Sequence, residues 1–167
     1  VVGCIVDQGT SGAYMAALSA DYIVALPSSV VGNVGVLLPS ISLEGLMEKL
    51  GINNQTITSG NLKDAGTPLR DMSDEEYELL SGIVMEFHSN FMKAVRESRP
   101  VTEQDVAVFQ DGRVVTSTRG RALHLIDEVG YYEDALKKIE SLANVEKPTV
   151  IVYRRKGENQ GGFYSWP

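Results

Sequence analysis

The sequence predicts an α/β fold, because short runs rich in β-branched residues alternate with segments of helical periodicity along the chain. Val1-Val2-Gly3-Cys4-Ile5-Val6 and Tyr22-Ile23-Val24-Ala25-Leu26 are apolar runs of strand length, and Pro27 stops the second because it cannot extend a sheet ladder. Ser73 and Glu76 form a capping box ahead of Tyr77, Leu80, Val84, Phe87, Phe91 and Val95, an apolar stripe at helical spacing.

Taken in order, the first run predicts a buried strand in full flow. It has no initiator Met and no polar lead-in, as expected of a fragment whose upstream part is missing. The Ala, Leu and Met content from Ser11 to Ala20 predicts a short buried helix with Ser11 at its N-cap, so the serine falls on a strand-to-helix turn. Strands at Tyr22 to Leu26 and Val34 to Leu38 then flank a Gly32-Asn33 turn. A helix from Ser42 to Leu50 ends at Gly51, Gln55 to Thr58 is β-branched enough for a strand, and Lys63 follows in a loop.

The long helix is expected from Asp74 to Glu97. Thr102 and Asp105 repeat the capping pattern for a short helix, and Asp111-Gly112 marks a turn before a brief strand at Arg113-Val114-Val115. Helices from Ser117 to Leu125 and from Tyr132 to Ala143 follow, with Gly130 between them and a last strand at Thr149 to Tyr153. One domain is expected, with a core over residues 1–153 and a polar, glycine-bearing, mobile tail over 154–167.

Composition narrows the function classes. The hydrophobic share of 43% and charged share of 22% are those of a soluble globular protein, without an apolar run long enough to span a bilayer. Fifteen basic residues stand against 22 acidic ones, a net charge of −7, which is the wrong sign for a nucleic-acid partner. Cys4 is the one cysteine, so neither an intrachain disulfide nor a multi-cysteine zinc site is possible, and its apolar setting predicts a buried, inert thiol. No metal or other cofactor is expected.

The candidate chemistry rests on Ser11, in Thr10-Ser11-Gly12-Ala13-Tyr14, and Lys63, in Ser59-Gly60-Asn61-Leu62-Lys63-Asp64-Ala65-Gly66. A serine hydroxyl becomes a good nucleophile when a neighbour takes its proton, and a lysine does so when burial leaves it neutral. Each residue alone also fits a plain role, serine as a helix cap and lysine as a solvated charge. Neither His88 nor His124 follows the strand-turn pattern of a triad.

Together these segments resemble the signal peptide peptidase A (SppA, protease IV) family. Thr10-Ser11-Gly12-Ala13-Tyr14 is similar to its Ala-Ser-Gly-Gly-Tyr nucleophile motif. Ala20 to Ala25 and Gly32-Asn33-Val34-Gly35-Val36 are similar to Ala-Asp-Lys-Ile-Val-Ala and Gly-Ser-Ile-Gly-Val. The lysine segment Ser59 to Arg70, Asp111-Gly112-Arg113-Val114 and Leu125 to Gly130 resemble further landmarks in the same order, over Val1 to Tyr153.

The resemblance implies a Clp protease/crotonase-like fold of repeated ββα units, N-terminally truncated here. It also implies a serine peptidase with a Ser-Lys dyad: Ser11 the nucleophile, Lys63 the general base and acid, and Gly12 N–H one oxyanion donor. The family's upstream part supplies a second donor and a membrane anchor. Released signal peptides and other apolar peptides are the implied substrates, cut on the extracytoplasmic side of a membrane by a homo-oligomer whose active sites are shared between protomers.

Two positions depart from the pattern. Ala13 replaces a glycine, which is compatible with a helix unless φ there is positive. Asn33 replaces a family serine that bonds the lysine amine; its carbonyl can accept the same bond and so support the dyad, but its longer side chain can displace the amine and its NH₂ end only donates. An alternative is therefore a catalytically weak or inactive oligomeric scaffold. A third, an acyl-CoA enzyme of the crotonase type, lacks a placed acidic pair.

Overall fold

Runs of three or four strand-forming residues, parted by two-residue breaks or tight turns, cannot make one wide sheet and instead feed two small ones. A computed structural model describes residues 1–145 and 149–151. The chain opens with β1 (Val2–Ile5), β2 (Gln8–Thr10) and α1 (Gly12–Ala17), then repeats the order with β3 (Tyr22–Ala25), β4 (Val30–Gly32) and α2 (Glu44–Leu50). Successive units stack in parallel: β1 pairs with β3 and β2 with β4. The expected α/β class and its ββα repeat are thus observed.

The second half completes both sheets. After α3 (Asp74–Ser98) and α4 (Glu103–Phe109), β5 (Val114–Thr116) joins β4 antiparallel. After α5 (Ser117–Ala122), β6 (Glu128–Val129) joins β3 in parallel, and α6 (Tyr132–Ala143) follows. The sheets are ordered β1-β3-β6 and β2-β4-β5.

The core lies where α1, the C-terminal half of α3 and α4 meet these sheets, around Tyr14, Ile23, Val31, Phe91, Val95, Phe109 and Leu125. Tyr14 has no exposed surface, and its hydroxyl donates to Leu125 O at 2.7 Å. Burial pushes its phenol well above the ordinary range, so it remains a neutral donor. Arg99, 5% exposed, forms a two-pronged pair with Asp127 at 2.9 Å for each contact and donates Nε to His124 O at 3.1 Å. Asp127 also accepts from Ile23 N at 2.7 Å, tying the end of α3 to β3.

Several expectations hold closely. Both capping boxes form, at Ser73/Glu76 and Thr102/Asp105, and Gly51 closes α2 in the left-handed conformation. Cys4 is half-buried rather than buried, like the rest of β1 ahead of Ile5; burial, with the charge of Glu133, raises its thiol pKa, as suits an inert cysteine.

Others are corrected. The strand expected at Val34 to Leu38 is absent, because positive φ at Gly32 (89°) and Asn33 (53°) turns the chain off the ladder and the true strand, β4, precedes that turn. Gln55 to Thr58 forms no strand either: the Asn54 carboxamide oxygen binds both the N–H and the hydroxyl of Thr56, and Ile57 is 97% exposed. The helix expected to reach Leu125 stops at Ala122, ahead of His124 at φ 58°. Helix α1 ends at Ala17 rather than Ala20, and it is not buried as expected: of its residues Tyr14 alone is buried. Of the α3 stripe, Phe91 and Val95 enter the core, whereas Tyr77 and Phe87 are exposed. In the expected last strand, residues 149–151 are not in a strand; Val152, Tyr153 and the tail at 154–167 lie outside the described residues.

Candidate active site

Ser11 stands where β2 runs into α1. Its N–H donates to Gly32 O at 2.9 Å, prolonging the β2–β4 ladder by one bond, and its carbonyl accepts from Met15 N at 2.9 Å to start the helix. Between these commitments its backbone takes φ 50° and ψ −122°, a conformation that a residue with a Cβ adopts only under strain. The serine is at the N-cap position as expected, but its side chain makes no capping hydrogen bond. A strained strand-to-helix turn that carries a serine without a capping bond has the backbone geometry of a nucleophile elbow.

A cavity of about 480 Å³ opens at this turn. Ser11, Gly12 and Asn33 supply its polar wall; Met15, Val36, Leu37 and Phe91 supply its apolar one. The cavity depends on close backbone packing at its edge, where a Cβ on Gly35 would lie 3.3 Å from Gly112 Cα. Asp111 lies at the same edge, its carboxyl held below the usual range by the hydrogen bond from Arg113.

Asn33 is fixed at both ends. Its N–H donates to Arg113 O at 2.9 Å and its Nδ2 to Gly112 O at 2.6 Å. With the NH₂ end engaged, the carboxamide oxygen is the end left to accept a bond from an amine. Ala13 has no positive φ, so it continues the first turn of α1 without strain.

Ser11, Gly12 and Asn33 therefore share one cavity. Lys63 does not line it. The lysine lies exposed in the turn between α2 and α3, its N–H donating to Gly60 O at 3.1 Å. The histidines are also elsewhere: His124 Nδ1 is 3.0 Å from Asp105 Oδ2, and neither His88 nor His124 lines the cavity. Sequence reasoning missed the apolar wall. Met15 and Phe91 were legible as apolar helix positions, but nothing in their spacing tells a core position from a cavity wall.

The strain at Ser11 has a measurable consequence. Glycine relieves about 1–3 kcal/mol of backbone strain and gives back roughly 0.5–1 kcal/mol through the greater freedom of its unfolded chain. Ser11→Gly is therefore expected to melt above Ser11→Ala, which lacks the same hydroxyl but keeps the strained backbone. A lower Tm for Ser11→Gly would show that the turn carries no such strain.

Comparison with known proteins places this chain in a family. A solved enoyl-CoA hydratase/isomerase family member aligns over 86% of this chain and 38% of its own, with a TM-score of 0.38 and 16% identity. Among curated proteins, a candidate protease of Methanocaldococcus jannaschii is 44% identical over 98% of this chain and 52% of its own length. A candidate signal peptide peptidase SppA of Enterococcus faecium is 32% identical over 96% and 46%. The chloroplastic serine protease SPPA of Arabidopsis thaliana is 30% identical over 93% and 24%. The chain thus spans about half the length of the first two. The sequence model of Peptidase family S49 matches residues 1–146, and the chain belongs to that peptidase family.

Proposed function

We propose that this chain carries the catalytic core of a serine endopeptidase that hydrolyses apolar peptides, released signal peptides among them, with Ser11 and Lys63 as its dyad. The observation that carries the reading is the strained turn at Ser11, which opens with Gly12 and Asn33 into a cavity walled by Met15, Val36, Leu37 and Phe91. Ser11 Oγ attacks the scissile carbonyl carbon while Lys63 Nζ takes its proton. The C–N bond then breaks, the lysine returns that proton to the leaving amine, and water releases the acyl group by the same steps. Gly12 N–H, next after the nucleophile, donates to the developing oxyanion. The Asn33 carboxamide oxygen holds the amine.

Since Lys63 lies outside the Ser11 cavity of its own chain, the reading takes the base from a neighbouring copy in a homo-oligomer. It places the work at the extracytoplasmic face of a membrane, where signal peptide remnants arise. Among the described residues, no helix is long and apolar enough to cross one.

The same separation of Lys63 from Ser11 favours a second reading, an inactive scaffold. A fluorophosphonate probe followed by peptide mass mapping, with a fluorogenic apolar peptide as substrate, decides between them. The expected result is an adduct on Ser11 together with turnover. Neither adduct nor turnover would leave the scaffold.

A further inference from the structure

The turn that carries Lys63 is gripped by one guanidinium. Arg70 donates Nη1 to Glu76 Oε2 at 2.8 Å and Nη2 to Glu76 Oε1 at 2.5 Å. It also donates Nη2 to Asp64 Oδ1 at 2.9 Å and Nε to Asp64 Oδ2 at 3.4 Å. Glu76 is buried, caps α3, and has its carboxyl pKa lowered to about 2, chiefly by the Arg70 hydrogen bonds. The segment is tied on its other side to α2, through Leu43 N to Pro68 O at 2.8 Å and Asp71 N to Glu44 Oε2 at 2.7 Å.

Asp64 is the residue beside Lys63 in the chain, and both of its oxygens are turned to Arg70. Among the described residues Lys63 enters no ion pair. A carboxylate left without a partner next to a lysine pairs with its ammonium form and holds the proton that a general base must lose. A planar guanidinium competes well for that carboxylate because it offers two parallel donors, which an ammonium does not.

We propose that Arg70 is a positioning residue: it fixes the Lys63 turn to the start of α3 and occupies Asp64, which leaves the Lys63 amine without a counter-ion and available to a serine. This rests on Lys63 being the base for Ser11. Arg70 does not line the Ser11 cavity and acts through Asp64 and Glu76.

The test measures kcat, KM and the pH profile of the full chain and its variants with one fluorogenic apolar peptide. Arg70→Met frees Asp64 to pair with Lys63, so the alkaline rise of kcat is expected to move up by about one pH unit. At a fixed pH below that rise kcat then falls about tenfold, with KM unchanged. Adding Asp64→Asn to Arg70→Met is expected to bring the rise back toward its original pH. Loss of a purely structural clamp has no such reversal, because the second change only removes another contact.

If Arg70→Met does not fold, Arg70→Lys, which holds one carboxylate at a time, is expected to shift the rise in the same direction by less. An unmoved rise in Arg70→Lys would then overturn the inference. Two failures are distinguishable. Full activity in Lys63→Ala removes the dyad and this inference with it, whereas an inactive Lys63→Ala beside an Arg70→Met with parental kcat and pH profile overturns the Arg70 inference alone.

Discussion

Ser11→Ala and Lys63→Ala are each expected to lower peptidase turnover by at least about 10⁴-fold, and the double variant to be hardly slower than either. Nucleophile and base act in one step, so once the hydroxyl is gone there is no proton for the amine to take, and once the amine is gone the hydroxyl attacks at its weak intrinsic rate. Simple addition of the two losses would instead indicate independent roles. Because Ser11 and Lys63 do not share a cavity within one chain, a second measurement follows. Mixing Ser11→Ala chains with Lys63→Ala chains is expected to restore measurable turnover, since some sites then combine an intact serine from one copy with an intact lysine from the other. Retention of most activity by Lys63→Ala would remove the lysine from the mechanism. Inactive single variants that fail to complement would place both residues in the same chain.

The parts of this site that were legible are the parts whose geometry is local. A serine between a short extended run and an Ala-rich helix defines a turn within a few residues, and the turn is there at Ser11. The capping boxes at Ser73 and Thr102 are likewise complete within four residues of chain. Strands β2 and β6, with three and two residues, exist only through their parallel partners and show no pattern of their own. Val34 to Leu38 has the composition of a strand but no strand partner among the described residues, and Leu37 is 81% exposed. The Arg70 grip was hidden for a related reason. Asp64 and Glu76 each stand six residues from Arg70, a spacing of neither helix nor strand, and meet it only because the chain folds back at the start of α3.

Arg99→Met is expected to cost about 3–5 kcal/mol of folding stability, the usual penalty for removing one partner of a buried ion pair. Arg99 is 5% exposed and Asp127 25% exposed, so the orphaned carboxylate keeps some access to water and the loss should fall toward the lower end. The lost contacts are not confined to that pair, because Arg99 Nε also holds His124 O, next to the residue whose own carbonyl receives the Tyr14 hydroxyl. Removing Asp127 as well does not repair the damage. Asp127 Oδ2 accepts from Ile23 N, and a leucine there would leave that strand N–H unpaired beside the core. Arg99→Lys keeps the charge but cannot match both carboxylate oxygens and the carbonyl at once, so it should recover only part of the loss. Urea unfolding checks this through the midpoint at unchanged m, which assigns the effect to stability rather than to a different end state. A loss below about 1 kcal/mol, the range of an exposed pair, would mean that the guanidinium is solvated in solution and that α3 is held to β3 by apolar packing alone.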